Sequence, residues 1–134
     1  MELEQHEPTA RGLRRYVRLV REAMGLSGDS SCVQLEPPVN AYLALEGRLS
    51  SFPALDVALT WDEENGWALA VEARCCDELL VLSYLDTDVL PPPRSVALFA
   101  TSMLEGHVSR HPDPPRFRTA GSPDELPRLL AGYA

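Results

Sequence analysis

The sequence predicts an α+β fold: an antiparallel β-meander of four or so strands, with an N-terminal amphipathic helix and two C-terminal helices packed on it. Apolar residues alternate on both sides of Asn65-Gly66, which is the pattern of a β-hairpin, whereas the segments before and after repeat apolar residues at helical spacing. A length of 134 residues is usual for one domain. We therefore predict a single domain over residues 1–134, with residues 1–8 as a flexible tail.

The first helix is expected to begin near Thr9 and to end at Gly25. Its apolar residues fall within about 120° of the helical wheel, and they are Leu13, Tyr16, Val17, Val20 and Met24. The opposite arc holds five basic residues, Arg11, Arg14, Arg15, Arg18 and Arg21, which we call the arginine stripe. This division predicts one helix face in the core and one face in solvent or on a partner.

The strands follow a polar loop after this helix. Residues 32–35 are predicted to be extended, and the first strand of the sheet is predicted at about residues 41–46, after Pro37-Pro38. The last strand, at residues 79–85, is an almost continuous apolar run, which predicts an interior place in the sheet. Short connections imply antiparallel pairing of neighbouring strands.

The hairpin at residues 55–73 must place its odd-numbered apolar residues, including Trp61, on the core face, because side chains alternate along a strand. A three-residue loop at residues 64–66, with Gly66 at positive φ, meets this condition and pairs Trp61 with Leu69. The opposite face carries small or mildly polar residues, namely Asp56, Ala58, Thr60, Ala68, Ala70 and Glu72. Such a surface suits self-association, so a homodimer is one prediction.

Two helices are predicted after the hairpin and the last strand. The second helix follows from apolar spacing between Val96 and about Val108. The third follows a capping box at residues 122–125, in which Pro123 takes the first helical position. Its inward side chains are predicted to be Leu126, Leu129, Leu130 and Tyr133.

The stretches LTWDEENGWALAVE and LSYLDTDVLPPPRSVALF, with YVRLVREAMG and AYLALEGR before them, resemble a family of small actinobacterial proteins known only as a domain of unknown function. The resemblance covers roughly Tyr16 to Phe99. Its motif consists of apolar core residues and turn residues. It therefore implies one domain and brings no activity, cofactor or site residue to this chain.

The chain is acidic, with a net charge of −8, and all 12 of its basic residues are arginine. Three cysteines, of which Cys75 and Cys76 are adjacent, do not suit a disulfide scaffold and indicate reduced thiols. The first residues lack the basic start of a signal peptide, and no apolar stretch approaches about 18 residues. We therefore predict a cytoplasmic protein that does not engage a membrane.

The arginine stripe is the main functional lead. Five arginines against Glu22 give residues 9–24 a net charge of +4, which leaves −12 on the rest of the chain. Arginine offers bidentate donors to carboxylates and phosphates, so the stripe is either a solvated face or a contact for a protein partner of unknown identity. Nucleic acid is the weaker alternative, because the acidic remainder repels a polyanion and no stacking aromatic accompanies the stripe.

Metal-binding and enzyme alternatives depend on scattered residues. The candidate metal ligands are Cys75, Cys76, His107 and His111. The candidate acids or bases of an enzyme are loop carboxylates, which are usually solvated, at Asp62, Glu63, Glu64, Asp86 and Asp88. No Gly-rich phosphate loop, HExxH, GxSxG or spaced cysteine pair frames them. We predict no catalytic, cofactor-binding or metal-binding residue. The expected function is a non-enzymatic binding, regulatory or adaptor module; a nucleic-acid accessory protein and a small enzyme or metal-binding protein are the alternatives.

Overall fold

The computed structural model describes residues 2–26, 31–36, 38–73, 78–106, 113–118 and 126–133. Its first helix is α1 (Glu2–Ala23). Five strands follow, β1 (Ser31–Gln34), β2 (Asn40–Ala44), β3 (Val57–Asp62), β4 (Gly66–Ala73) and β5 (Glu78–Tyr84). The last two elements are α2 (Pro93–Leu104) and α3 (Leu126–Ala131). This arrangement confirms the predicted α+β fold.

The five strands form one antiparallel sheet in the order β1-β2-β3-β4-β5. The extended segment after the first helix is therefore a strand of the sheet, and β1 and β5 are its two edges. The predicted interior place of the last strand is wrong, since Leu79 and Leu80 of β5 are exposed. An apolar run predicts a strand, but an interior place in the sheet also requires a further strand on its other side. The next described elements in the chain are helices.

The β3–β4 hairpin keeps the predicted parity but differs in register. Trp61 pairs with Trp67, and Leu59 pairs with Leu69, so the predicted pairing of Trp61 with Leu69 is wrong by two residues. The loop lies one residue earlier than predicted, because the Asp62 carboxylate accepts the backbone N–H groups of Glu64 and Asn65 at 2.8 and 2.7 Å. Gly66 has a φ of 74°, as its predicted role requires.

The helices cover the sheet face that carries the odd-numbered hairpin residues. Buried side chains of α1, α2 and α3 form one core cluster with those of β2, β3 and β4. Trp61 and Trp67 are both fully buried in this cluster, as predicted. The apolar face of α1 is also confirmed, with Leu13, Tyr16 and Val17 buried.

Tyr16 connects α1 to the sheet and to the segment between β5 and α2. Its hydroxyl donates a hydrogen bond to the carbonyl of Pro91 and accepts one from the Trp67 indole N–H at 3.1 Å. Burial raises the pKa of Tyr16 well above its usual range. The Trp61 indole donates to the carbonyl of Val89 at 2.6 Å. Both tryptophan N–H groups are thus satisfied inside the core, as buried aromatic donors require.

The helix boundaries differ from those predicted. Helix α1 begins at Glu2 and not near Thr9, and it includes Pro8. The mobility of residues 1–8 stays a prediction. Helix α2 ends at Leu104, not near Val108, and Gly106 follows at a φ of 89°. The capping box predicted at residues 122–125 lies outside the described residues.

Helix α3 is short and packs against α1. Leu126 and Leu130, one turn apart, are buried, whereas Leu129 is exposed, so its predicted inward position is wrong. A six-residue helix has room for only one buried stripe. The contact with α1 is close at Gly12, where an added Cβ would lie 1.6 Å from the carbonyl oxygen of Leu130.

Candidate functional site

The arginine stripe lies on the side of α1 that faces away from the core. Arg11, Arg14, Arg15 and Arg18 are exposed, and Arg21 is half-buried. The apolar and basic faces are therefore divided as the sequence predicts. The structure also shows which of the arginines lie together on one concave surface.

A cleft of about 570 Å³ lies between α1 and the edge strand β1. The helix contributes Arg14, Val17, Arg18 and Arg21, and the strand contributes Ser31, Cys32 and Val33. We call this surface the arginine cleft. It contains three of the five arginines that the sequence singled out.

The helical repeat explains which arginines enter the cleft. Arg14, Arg18 and Arg21 follow one another at spacings of four and three residues, and such residues are neighbours on a helix surface. They extend over about 10 Å at a rise of about 1.5 Å per residue. Arg11 and Arg15 do not line the cleft. Arg15 is turned about 60° from Arg18 around the helix, and Arg11 lies about one turn before Arg14.

The opposite wall is formed by β1, which stands at one end of the described strand order. Ser31 and Val33 pair with Leu43 and Ala41, which are buried residues on the helix-covered face, whereas Cys32 points to the other face. Three consecutive residues with alternating side chains nevertheless line one cleft.

The arginine cleft has a positive surface in an acidic chain. Three of its described lining residues are arginines and none is acidic. Guanidinium groups stay charged at all physiological pH values and bind carboxylates or phosphates through paired N–H donors. The site can therefore hold an anionic group. It lacks an acid, base or nucleophile in a hydrogen-bonded array among its described lining residues.

Sequence reasoning identified the arginines but missed the wall that faces them. The SCVQ segment is only four residues long and lies near a polar loop and Pro37-Pro38. In the structure, half-buried and exposed positions alternate over these four residues. A pattern of this length does not predict which edge of the sheet the segment occupies. Cys32, the exposed thiol of this wall, carries no spacing pattern that could have assigned it to the site.

The carboxylates at the hairpin tip have structural roles. Asp62 holds the turn, and Glu63 is buried rather than solvated as loop carboxylates usually are. Glu63 forms an ion pair with Arg118, and its other carboxylate oxygen accepts the N–H of Val39 at 2.6 Å. The Glu63 N–H donates to the carbonyl of Val39 at 3.0 Å. Glu63 thus joins three segments of the chain.

Arg118 belongs to residues 113–118, a segment across the hairpin tip that we call the strap. Its Phe117 N–H donates to the carbonyl of Glu64 at 2.8 Å, and the Asn65 side chain donates to the carbonyl of Pro115 at 2.7 Å. These contacts occupy the tip with the chain's own groups. The tip is therefore a packing site for the strap and not an open array of acids.

The other candidate residues do not assemble in the described part of the chain. Asp86 and Asp88 are exposed, while Cys75, Cys76, His107 and His111 lie outside the described residues. Within residues 2–26, 31–36, 38–73, 78–106, 113–118 and 126–133, no group of three or more His, Cys, Asp or Glu side chains could hold a metal ion. The enzyme and metal-binding alternatives therefore gain no support from the described residues.

The even-numbered face of the hairpin is not the open surface that the sequence led us to expect. Ala58, Ala68 and Ala70 are buried, although the helices lie on the other face. On this face Tyr42 of β2 reaches across the sheet and donates a hydrogen bond to Glu72 of β4. Burial and this hydrogen bond raise the pKa of Tyr42. Homodimer formation stays a prediction.

The fold and the site define a small α+β domain with helices on one face of an antiparallel sheet and an arginine-lined cleft beside β1. The chain belongs to a family of unknown function, DUF6292, whose model matches residues 16–102. This range is close to the Tyr16 to Phe99 stretch on which the resemblance depends. None of the curated proteins and none of the solved structures matches the chain. Within the described residues, every helix is too short or too polar to cross a membrane.

Proposed function

We propose that this protein is a non-enzymatic binding module that takes an acidic segment of a partner protein into the arginine cleft. The observation that carries the proposal is the described lining of the cleft, which includes the exposed guanidinium groups of Arg14 and Arg18 on one side of α1. A carboxylate in this position would form charge-assisted hydrogen bonds with guanidinium groups. Such pairs are stronger in a partly enclosed cleft than on an open surface.

The size and charge of the surroundings favour a protein segment over nucleic acid. The cleft follows α1 for about 10 Å, which is enough for a few phosphates at most. Residues outside 9–24 carry a net charge of −12, and this charge repels a long polyanion. The described lining residues include no aromatic side chain on which a base could stack.

The proposal is tested with two charge-reversed variants of the same helix. Arg14→Glu/Arg18→Glu changes the cleft, and Arg11→Glu/Arg15→Glu changes the net charge of the chain by the same amount outside the cleft. Tagged wild type and both variants are used to capture proteins from the source lysate, with and without nuclease. Each captured protein is then purified, and its binding is measured by calorimetry.

We expect a partner with an acidic segment that binds wild type and the Arg11→Glu/Arg15→Glu variant alike but binds the Arg14→Glu/Arg18→Glu variant at least tenfold more weakly. Equal losses in both variants would mean that net charge, and not the cleft, controls binding. Binding that depends on nuclease-sensitive material would favour the nucleic-acid alternative. Equal binding by all three proteins would refute a role for the cleft.

A further inference from the structure

The geometry points to a particular binding mode: we infer that the acidic segment is extended and adds a sixth strand to the sheet along β1. This inference rests on the proposed function and specifies the class of ligand. In this binding mode, one side of the peptide forms backbone hydrogen bonds with β1, and another side forms charged contacts with α1. Both sets of groups border the arginine cleft.

The first argument is the open edge of β1. Among the described strands, β1 pairs only with β2, and it stands at the end of the sheet order. An edge strand presents a row of backbone N–H and C=O groups that another strand can use. Ser31, Cys32 and Val33 of this strand line the cleft, so the cleft lies beside β1.

The second argument is a match of spacings. Alternate side chains of an extended strand lie about 6.6–6.8 Å apart on one face. Arg14 and Arg18 are four residues apart on α1, which corresponds to about 6 Å along the helix axis. Two acidic side chains separated by one residue can therefore meet these two guanidinium groups in turn. The expected ligand motif is acidic-x-acidic.

The third argument is the size of the cleft. Its volume of about 570 Å³ is that of a site for a short segment and is small for a folded surface. A helix could not reach both walls equally well, since its backbone groups are already paired within the helix. An extended segment leaves one row of its backbone groups free for β1 and projects alternate side chains toward α1.

The probe for this binding mode is the acetylated, amidated peptide TEVEVET, in which glutamates alternate with valines. The peptide TEEEVVT has the same composition and charge but lacks the alternation. Two further versions of TEVEVET carry backbone N-methyl groups, one on all glutamate residues and the other on both valine residues. Because amide groups of neighbouring strand residues point to opposite sides, only one of these versions loses the donors that face β1.

We expect the full-length protein to bind TEVEVET at least tenfold more tightly than TEEEVVT, by fluorescence anisotropy of labelled peptide. One N-methylated version should bind at least tenfold more weakly than its parent, and the other should bind within about threefold of it. In ¹⁵N-labelled protein, backbone amides within residues 31–34 should gain protection from hydrogen exchange. The Arg14→Glu/Arg18→Glu variant should lose binding, while the Arg11→Glu/Arg15→Glu variant should keep it.

The outcomes separate the binding mode from the proposed function. If both N-methylated peptides bind like the parent while the Arg14→Glu/Arg18→Glu variant fails to bind, the acidic site stands and strand addition is wrong. The absence of TEVEVET binding, beside an arginine-dependent protein partner, would also overturn strand addition alone. If TEVEVET binding is lost equally in both charge-reversed variants, the proposed cleft fails together with the binding mode.

Discussion

Breaking the ion pair between Glu63 and Arg118 should be the most costly single change at the hairpin tip. Their side chains are 5% and 6% exposed, respectively, so water screens the pair weakly. Removing one member of a buried pair typically costs about 3–5 kcal/mol, because the remaining charge stays buried without it. That is a large part of a typical stability of about 5–15 kcal/mol.

The strap offers a matched pair for comparison. Arg116 and Glu64 approach to 3.9 Å, with side chains 70% and 24% exposed, and connect the same two segments of the chain. Exposed pairs of this kind contribute at most about 1 kcal/mol. Arg116→Met should therefore lower the free energy of unfolding by less than about 1 kcal/mol, whereas Arg118→Met should lower it by about 3–5 kcal/mol.

A double-mutant cycle isolates the contribution of the buried pair. Glu63→Gln retains an oxygen that can accept the Val39 N–H, but it removes the charge that faces Arg118. The Glu63→Gln/Arg118→Met protein has neither charge, so its destabilisation should be smaller than the sum of the single effects by at least about 2 kcal/mol. The assay is urea unfolding followed by circular dichroism at constant pH, with the slope m compared among variants.

Two results would refute this reasoning. The first is additivity of the single substitutions within about 0.5 kcal/mol, because independent residues show no coupling energy. The second is a loss in Arg116→Met as large as that in Arg118→Met, since burial would then have no effect. Either result would mean that the strap is held mainly by its backbone hydrogen bonds to the hairpin.

Three further predictions test the core. Gly12→Ala should destabilise the fold by more than about 2 kcal/mol in urea unfolding, because its Cβ would overlap the Leu130 carbonyl, whereas helix propensity alone predicts a gain of about 1 kcal/mol. Leu130→Ala should cost about 2–5 kcal/mol and Leu129→Ala less than about 0.5 kcal/mol, and equal losses would contradict the observed orientation of α3. Since burial raises the pKa of Tyr16 above that of the unfolded chain, the unfolded chain loses this proton first. Stability should then fall by about 1.4 kcal/mol per pH unit above pH 10 and be unaffected by this group below it, and Tyr16→Phe should reduce the slope.

The layered fold could be predicted because side-chain periodicity carries it directly. Alternation around Asn65-Gly66 fixed which hairpin residues face the core, and the structure buries Trp61 and Trp67 accordingly. The exact pairing could not be predicted, since a shift of two residues keeps every side chain on the same face. The choice was made by the Asp62 carboxylate, which caps the turn one residue earlier than expected.

Features that depend on contacts between distant parts of the chain could not be predicted from the sequence pattern. The apolar run of β5 looks the same in an edge strand and an interior strand, because only the order of strands distinguishes them. Glu63 resembles a solvated loop carboxylate until Arg118, distant in sequence, is placed beside it. The arginine cleft is similar: the stripe on α1 was evident, but β1 had to be placed next to it before the arginines lined a site.

The charge distribution of the chain gives the arginine cleft a basis for selectivity. A positive cleft on a positive protein attracts any polyanion, whereas here −12 outside residues 9–24 opposes long-range attraction. An anionic group in the cleft lies at short distance from Arg14 and Arg18, where the charge on the rest of the chain matters least. The short acidic strand that we propose would meet this condition, because its carboxylates would lie next to the guanidinium groups while its backbone pairs with β1. Raising the salt concentration should therefore weaken peptide binding much less steeply than it weakens phosphate-backbone binding of nucleic acids, and a steep salt dependence would contradict selection by the cleft.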